Sequence, residues 1–174
     1  MNRNVKIQLF LLTIVMAFLM MPFYAGAQTS KTNFTGTWVL NAEKSDMGEP
    51  SQAGGPRMGG ASLAVTQDAN LLSVVRTRTG QDGQPVTTTS KYTFDGKESI
   101  NTSQRGESKS VASWSADGKL LTIVTKRTIE RDGQTMELTS TDVWSLTNTT
   151  TLTIVSEMKT PNGERKATAV YDKK

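Results

Sequence analysis

Few side chains in this sequence are equipped for reactive chemistry. There is no histidine and no cysteine. That removes the usual neutral-pH proton carrier, the commonest metal ligand and the thiol nucleophile. The carboxylates, serines, lysines and tyrosines that remain form no paired-carboxylate cleft, no defended Ser-x-x-Lys pair and no Gly-rich phosphate loop at a strand–helix junction. The sequence therefore predicts a protein that is not an enzyme and carries neither metal nor cofactor. Recognition chemistry is better represented. Arg76, Arg78 and Arg127 recur at matching positions of a repeated strand, and a guanidinium grips a carboxylate or phosphate through parallel hydrogen bonds. Asp142 is the one acid that falls on the same face at a strand centre, where it would meet an arginine or a ligand hydroxyl.

The elements that position these groups come from a threefold repeat. Leu120–Gln134 is echoed by Leu71–Gln84, one residue shorter, and by the more diverged Thr151–Glu164. Each copy runs from an apolar strand into Asp-Gly or Asn-Gly, a hairpin signal. Each is followed by a Thr-rich run that reaches an aromatic: Tyr92, Trp144, Tyr171. Strands are expected at 34–40, 61–67, 71–79, 86–94, 98–103, 108–116, 120–130, 135–146, 152–160 and 165–172. No segment has a helical period. A meander of about ten such strands, rich in Thr, Val, Ile and aromatics, has one apolar face to bury. Curling into a barrel buries it and removes the exposed edges. The predicted fold is thus all-β, an antiparallel up-and-down barrel of about 8–10 strands.

The turns also predict register. A two-residue turn at Asp132-Gly133 sets Leu121 against Trp144, Ile123 against Asp142 and Arg127 against Leu138. Asp117-Gly118 sets Trp114 against Leu121 and Ala112 against Ile123. Asn162-Gly163 sets Met158 against Ala167, Ser156 against Ala169 and Ile154 against Tyr171. The first copy does not fit a simple Asp82-Gly83 turn and calls for a bulge or a wider loop. Leu121, Ile123, Thr125 and Arg127 then correspond to Leu72, Val74, Arg76 and Arg78, and to Leu152, Ile154, Ser156 and Met158. Alternate strands of a meander are parallel, so the arginines gather near one mouth above an apolar floor. The expected binding residues are Arg78, Arg127, Trp114, Leu121, Asp142 and Trp144, forming a pocket for an amphipathic anion. Two plainer readings stand beside this one. The arginines extend along the rim to solvent, and Asp142 is a satisfied structural carboxylate or points outward.

At the level of the chain, Arg3 and Lys6 precede an apolar run from Ile7 to Met21, and Ala25-Gly26-Ala27 follows. Residues 1–27 read as a signal peptide, rather than an uncleaved anchor. Residues 28–174 are then a single domain, exported to the periplasm or secreted, with no stable membrane insertion after cleavage. The formal charge of +4 includes both leader cations, and the remaining bases are scattered, so no nucleic-acid partner is expected. Without cysteine, stability must come from packing and backbone pairing. The Gly/Pro-rich stretch 41–60 reads as a flexible loop, either a flap over a mouth or an insertion without a role.

Gly36-Thr37-Trp38, on the first strand after the leader, resembles the Gly-x-Trp signature of the lipocalins. The longer phrase from Phe34 to Ser45 is similar to the opening of exported bacterial lipocalin-like (calycin-type) proteins of uncharacterised function. So is the later rhythm, with Tyr92 before Asp95-Gly96-Lys97, Trp114 before Asp117-Gly118-Lys119, and Trp144-Ser145-Leu146. The resemblance covers most of residues 34–172. It implies a meander barrel with Trp38 plugging a closed base and a small lipophilic ligand inside. For the family's Thr-Asp loop pair it offers only Thr141-Asp142, here inside a strand. For the late arginine that covers the motif tryptophan it offers Arg165. The expected function is binding of a small apolar or amphipathic ligand in the barrel, an anionic one if the arginines take part. The alternative is a non-catalytic cell-envelope interaction protein whose barrel is filled by its own side chains.

Overall fold

The computed structural model describes residues 30–48, 61–80, 82–103, 106–131, 134–160 and 163–174. The expected leader at 1–27 and most of the Gly/Pro-rich stretch, residues 49–60, lie outside the described residues. Ten strands follow in chain order: β1 Gly36–Leu40, β2 Ser62–Gln67, β3 Leu71–Thr79, β4 Pro85–Thr93, β5 Ser99–Ser103, β6 Gly106–Trp114, β7 Leu121–Arg131, β8 Gln134–Asn148, β9 Thr151–Thr160 and β10 Gly163–Lys173. The sheet order is β4-β3-β2-β1-β10-β9-β8-β7-β6-β5. This is an up-and-down meander in which β1 docks on β10, and it wraps into a nearly closed barrel.

Short aspartate-centred turns end the strands at one end of the barrel, the base. The Asp117 carboxylate accepts from Ser115 Oγ at 2.6 Å and from the Lys119 N–H at 3.1 Å. Asp95 does the same with Thr93 Oγ1 at 2.8 Å and the Lys97 N–H at 3.1 Å. A carboxylate that closes its own turn replaces backbone bonds the turn cannot make. The hydroxyls first, and then the N–H groups, hold both carboxyls below the ordinary aspartate value.

Register agrees with the turn reading at two hairpins. Leu121 pairs with Trp144, Ile123 with Asp142 and Arg127 with Leu138; Trp114 pairs with Leu121 and Ala112 with Ile123. At the first hairpin the wider loop is found, with Thr79 opposite Pro85 and Leu72 opposite Tyr92. The last hairpin differs from expectation. Ser156 faces Ala167, Ile154 faces Ala169 and Met158 faces Arg165, because Thr160 pairs directly with Gly163. Gly163 is thus the first strand residue and not the second turn residue. The slip moves each partner by two positions, so every side chain keeps its face.

The interior has two unlike halves. Around the base, Phe34, Trp38, Leu63, Leu72, Leu121, Trp144, Leu152 and Tyr171 are 0–1 % exposed. One layer up, Val65, Val74, Ala112, Ile123, Ile154 and Ala169 complete a continuous core. Toward the opposite end, the mouth, Arg76, Thr88, Arg127, Leu138, Ser140 and Met158 face inward and are half-buried, whereas Ser108, Ser110 and Ala167 at the same end are buried. Buried groups of this size each contribute roughly 1.5–3 kcal/mol, so folding is driven from the base.

Residues 30–35 close that base as a strap. The Phe34 N–H donates to Gln67 Oε1 at 3.0 Å, Gln67 Nε2 donates to the Thr32 carbonyl at 2.8 Å, and the Thr32 N–H donates to the Gly118 carbonyl at 2.9 Å. Phe34 was expected in the first strand; it instead precedes β1 and fills the core. The start of the Gly/Pro-rich stretch is likewise anchored. Asp46 bridges Thr168 of β10, and Met47 packs against the core.

The two sheet edges, β4 and β5, meet without a backbone ladder. Side chains join them. Asn101 accepts from the Lys91 N–H at 2.7 Å and donates through Nδ2 to the Lys91 carbonyl at 3.0 Å, while the Thr93 N–H donates to Ser99 Oγ at 2.9 Å.

Candidate ligand-binding site

Because side chains alternate along a strand, the parity that buries Leu72 and Val74 also turns Arg76 and Arg78 inward on β3. On β7 the same parity carries from Leu121 and Ile123 to Thr125 and Arg127, and on β8 from Trp144 to Asp142. Tyr92 on β4 faces inward opposite Leu72. These residues come from two neighbouring strand pairs, β4–β3 and β8–β7, that lie far apart in the sheet order, yet they sense one another. Burial pushes the Tyr92 phenol above its ordinary value. Its hydrogen bond with Ser90 and the charges of Arg76 and Arg127 pull it back, and Asp142 pushes it up. Charges on β3, β7 and β8 reach a β4 hydroxyl together only across the barrel interior.

Within this group the charges are not neutralised pairwise. Asp142 accepts a 2.5 Å hydrogen bond from Ser156 Oγ on the neighbouring β9. Among the described residues, the ion pairs Lys44–Asp172, Lys97–Asp95 and Lys166–Glu157 join surface groups, and neither Arg127 nor Asp142 takes part in one. Arg127 Nε is buried and has no hydrogen-bond partner. Leaving such a donor unpaired costs about 1–3 kcal/mol, a cost that an acceptor brought by a ligand would remove. Two arginines, a phenol hydroxyl and one carboxylate can together receive an anionic group and a hydrogen-bond donor. Among the described residues no group of three or more His, Cys, Asp or Glu could hold a metal ion.

The expected site residues fall in different places. Arg127 and Asp142 belong to this interior cluster, and Arg78 sits nearer the mouth, opposite Val86. Leu121 and Trp144 lie in the packed base. Trp114 is half-buried beside them. Phe34 stacks on Trp114 at 5.8 Å and meets Trp144 edge-on at 5.7 Å, so the three aromatics form one floor. The indole N–H groups of Trp114 and Trp144 are buried without a partner. Trp38 differs, since its Nε1 donates to the Phe34 carbonyl at 2.9 Å. Its ring is covered by Lys173 Nζ at 5.3 Å, whereas Arg165, the residue offered by the resemblance, lies at the other end of β10. Tyr92 and Ser156 were not singled out as site residues. The sequence signals for Tyr92 are its place as the aromatic ending the first Thr-rich run and its position before Asp95-Gly96-Lys97.

No family model and no curated sequence relative matches the chain. Among solved structures, the fold resembles a crystal structure of zebrafish ileal bile acid-binding protein complexed with cholic acid. The TM-score is 0.55 and the identity 17%, over 82% of this chain and 100% of that one. At that identity the likeness is one of fold, an antiparallel meander barrel.

Proposed function

We propose that this protein binds a small amphipathic molecule inside its barrel, with the ligand's acidic group meeting Arg127 and Arg76 and its apolar body lying on the layer of Val74, Ile123 and Ile154 that covers the Phe34–Trp114–Trp144 floor. The observation that carries the reading is the buried, unpartnered Nε of Arg127 in an interior that holds more arginine than acid. The half-buried inner face toward the mouth supports a ligand space over a barrel filled by its own side chains. Resemblance in fold to a protein crystallised with cholic acid supports a lipophilic cargo. The proposal takes the protein as exported, with residues 1–27 removed.

The test is displacement of a fluorescent fatty-acid probe by stearate and by methyl stearate, which differ in charge and share a chain. Replacing Arg127 with Met is expected to weaken stearate at least tenfold and methyl stearate less than threefold, since a charge-assisted pair is lost only for the acid. Equal losses for both ligands would reject the role of Arg127.

A further inference from the structure

Asp142 raises a question that an anionic ligand alone does not answer. Its inward side chain pairs across the ladder with Ile123, a residue of the core, and with Ser156. One carboxylate oxygen, Oδ1, holds the Ser156 hydroxyl at 2.5 Å. A carboxylate offers about four acceptor positions; the Ser156 hydroxyl takes one, and because Asp142 is half-buried the others are open to an incoming donor. No arginine or lysine forms an ion pair with it among the described residues. A carboxylate in that position repels the acid group of a ligand and gains nothing from its hydrocarbon.

We infer that Asp142 selects for ligands carrying a hydrogen-bond donor, a hydroxyl or amine, partway along the apolar body, so that the cargo is a hydroxylated or amino-substituted amphipathic acid. This deepens the proposed function and rests on it. Arg127 and Ile123 are four residues apart on β7, and Ile123 is the ladder partner of Asp142. At about 3.3 Å per residue the two polar anchors are spaced roughly 13 Å along the wall. An acid at Arg127 places its donor partway along a long chain, whose remaining carbons turn back toward the half-buried mouth because the core beyond Asp142 is packed. A ligand without that donor must cover the carboxylate with hydrocarbon and leave it unsatisfied. Sites built to hydrogen-bond a ligand hydroxyl reject the analogue lacking it more strongly than apolar pockets reject an extra methylene.

The experiment compares 12-hydroxystearate with stearate by calorimetry on the delipidated protein, for the natural chain and for Asp142→Leu. The natural protein is expected to bind the hydroxylated acid at least tenfold tighter, and Asp142→Leu to bring the ratio to one or below by strengthening stearate. Asp142→Asn, which keeps an acceptor and the side-chain shape, is expected to give an intermediate ratio and serves if the leucine variant does not fold. A ratio near one in the natural protein, with both acids bound, overturns the role of Asp142 and leaves the proposed function standing. A ratio unchanged in both variants overturns it equally. If neither acid binds, the proposed function falls and this inference with it.

Discussion

Replacing Arg127 with Met in the ligand-free protein should make the barrel more stable. Arg127 Nε is buried and unpartnered, and desolvating such a donor costs about 1–3 kcal/mol. Methionine is unbranched and flexible enough to retain the packing of the arginine stem, so little offsets the gain. Part of the guanidinium's hydration survives in a residue that is only half-buried, which places the expected gain near the lower limit, about 1 kcal/mol. For a domain of this size that corresponds to a rise of roughly 2–4 °C in Tm. Urea unfolding followed by tryptophan fluorescence reads the free energy, and calorimetry reads the Tm. A matched Arg78→Met variant, nearer the mouth, should stay within about 0.5 kcal/mol of the natural protein. A loss of 1 kcal/mol or more on replacing Arg127 would refute the reasoning. The guanidinium would then be holding the barrel together, not waiting for a ligand.

Three further outcomes follow from features away from that arginine. Replacing Asn101 with Ala removes both bonds to the Lys91 backbone; the expected cost is about 1–2 kcal/mol, with faster hydrogen exchange at the Lys91 amide, and unchanged exchange would mean the seam is held otherwise. Carbon-detected NMR titration should show Asp95 and Asp117 with midpoints below the ordinary value of about 3.9. Since their folded values are depressed, the stability they contribute is complete above the unfolded value and is lost as pH falls through the folded one, in the acid limb below about pH 4. A midpoint at or above the ordinary value contradicts the turn geometry. Gly118→Ala should destabilise more than Gly96→Ala. Both glycines have positive φ, 68° and 75°, but an added Cβ at 118 would come within 3.1 Å of the Ser30 carbonyl oxygen, while at 96 it meets nothing within 4 Å. Equal losses in urea unfolding would show that the strap does not press on this turn.

Much of the barrel was readable because its turns carry their own chemistry. The sequence pairs Asp117-Gly118 and Asp132-Gly133 each demand the register found between their strands, and from the two together the alignment of Trp114, Leu121 and Trp144 follows. Where the turn is ambiguous the reading slipped. Pro161-Asn162-Gly163 admits more than one pairing, and period-two alternation cannot distinguish registers that differ by an even number. Phe34 was misplaced because an aromatic before Gly-x-Trp fits a strand as well as a plug, and only the Gln67 bonds to the strap decide between them. The inward parity of Arg76, Arg127 and Asp142 was legible one strand at a time. Their approach to Tyr92 was not, since it depends on closure of the barrel and on which strands end up opposite. Lys173 shows the same limit: its place over Trp38 arises from the β1–β10 pairing that closes the sheet.

The strap gives the molecule a direction. Residues 30–35 leave the barrel beside Gly118, and Lys173 and Lys174 lie at that same end, against Trp38 and Thr37. Both routes out of the domain therefore run from the base, while the arginines face the opposite opening. A fusion, tag or surface linkage placed at either route would hold the barrel like a cup by its foot. Immobilised copies would all present the opening outward, which suits the protein to oriented capture on a sensor surface without any change to its interior.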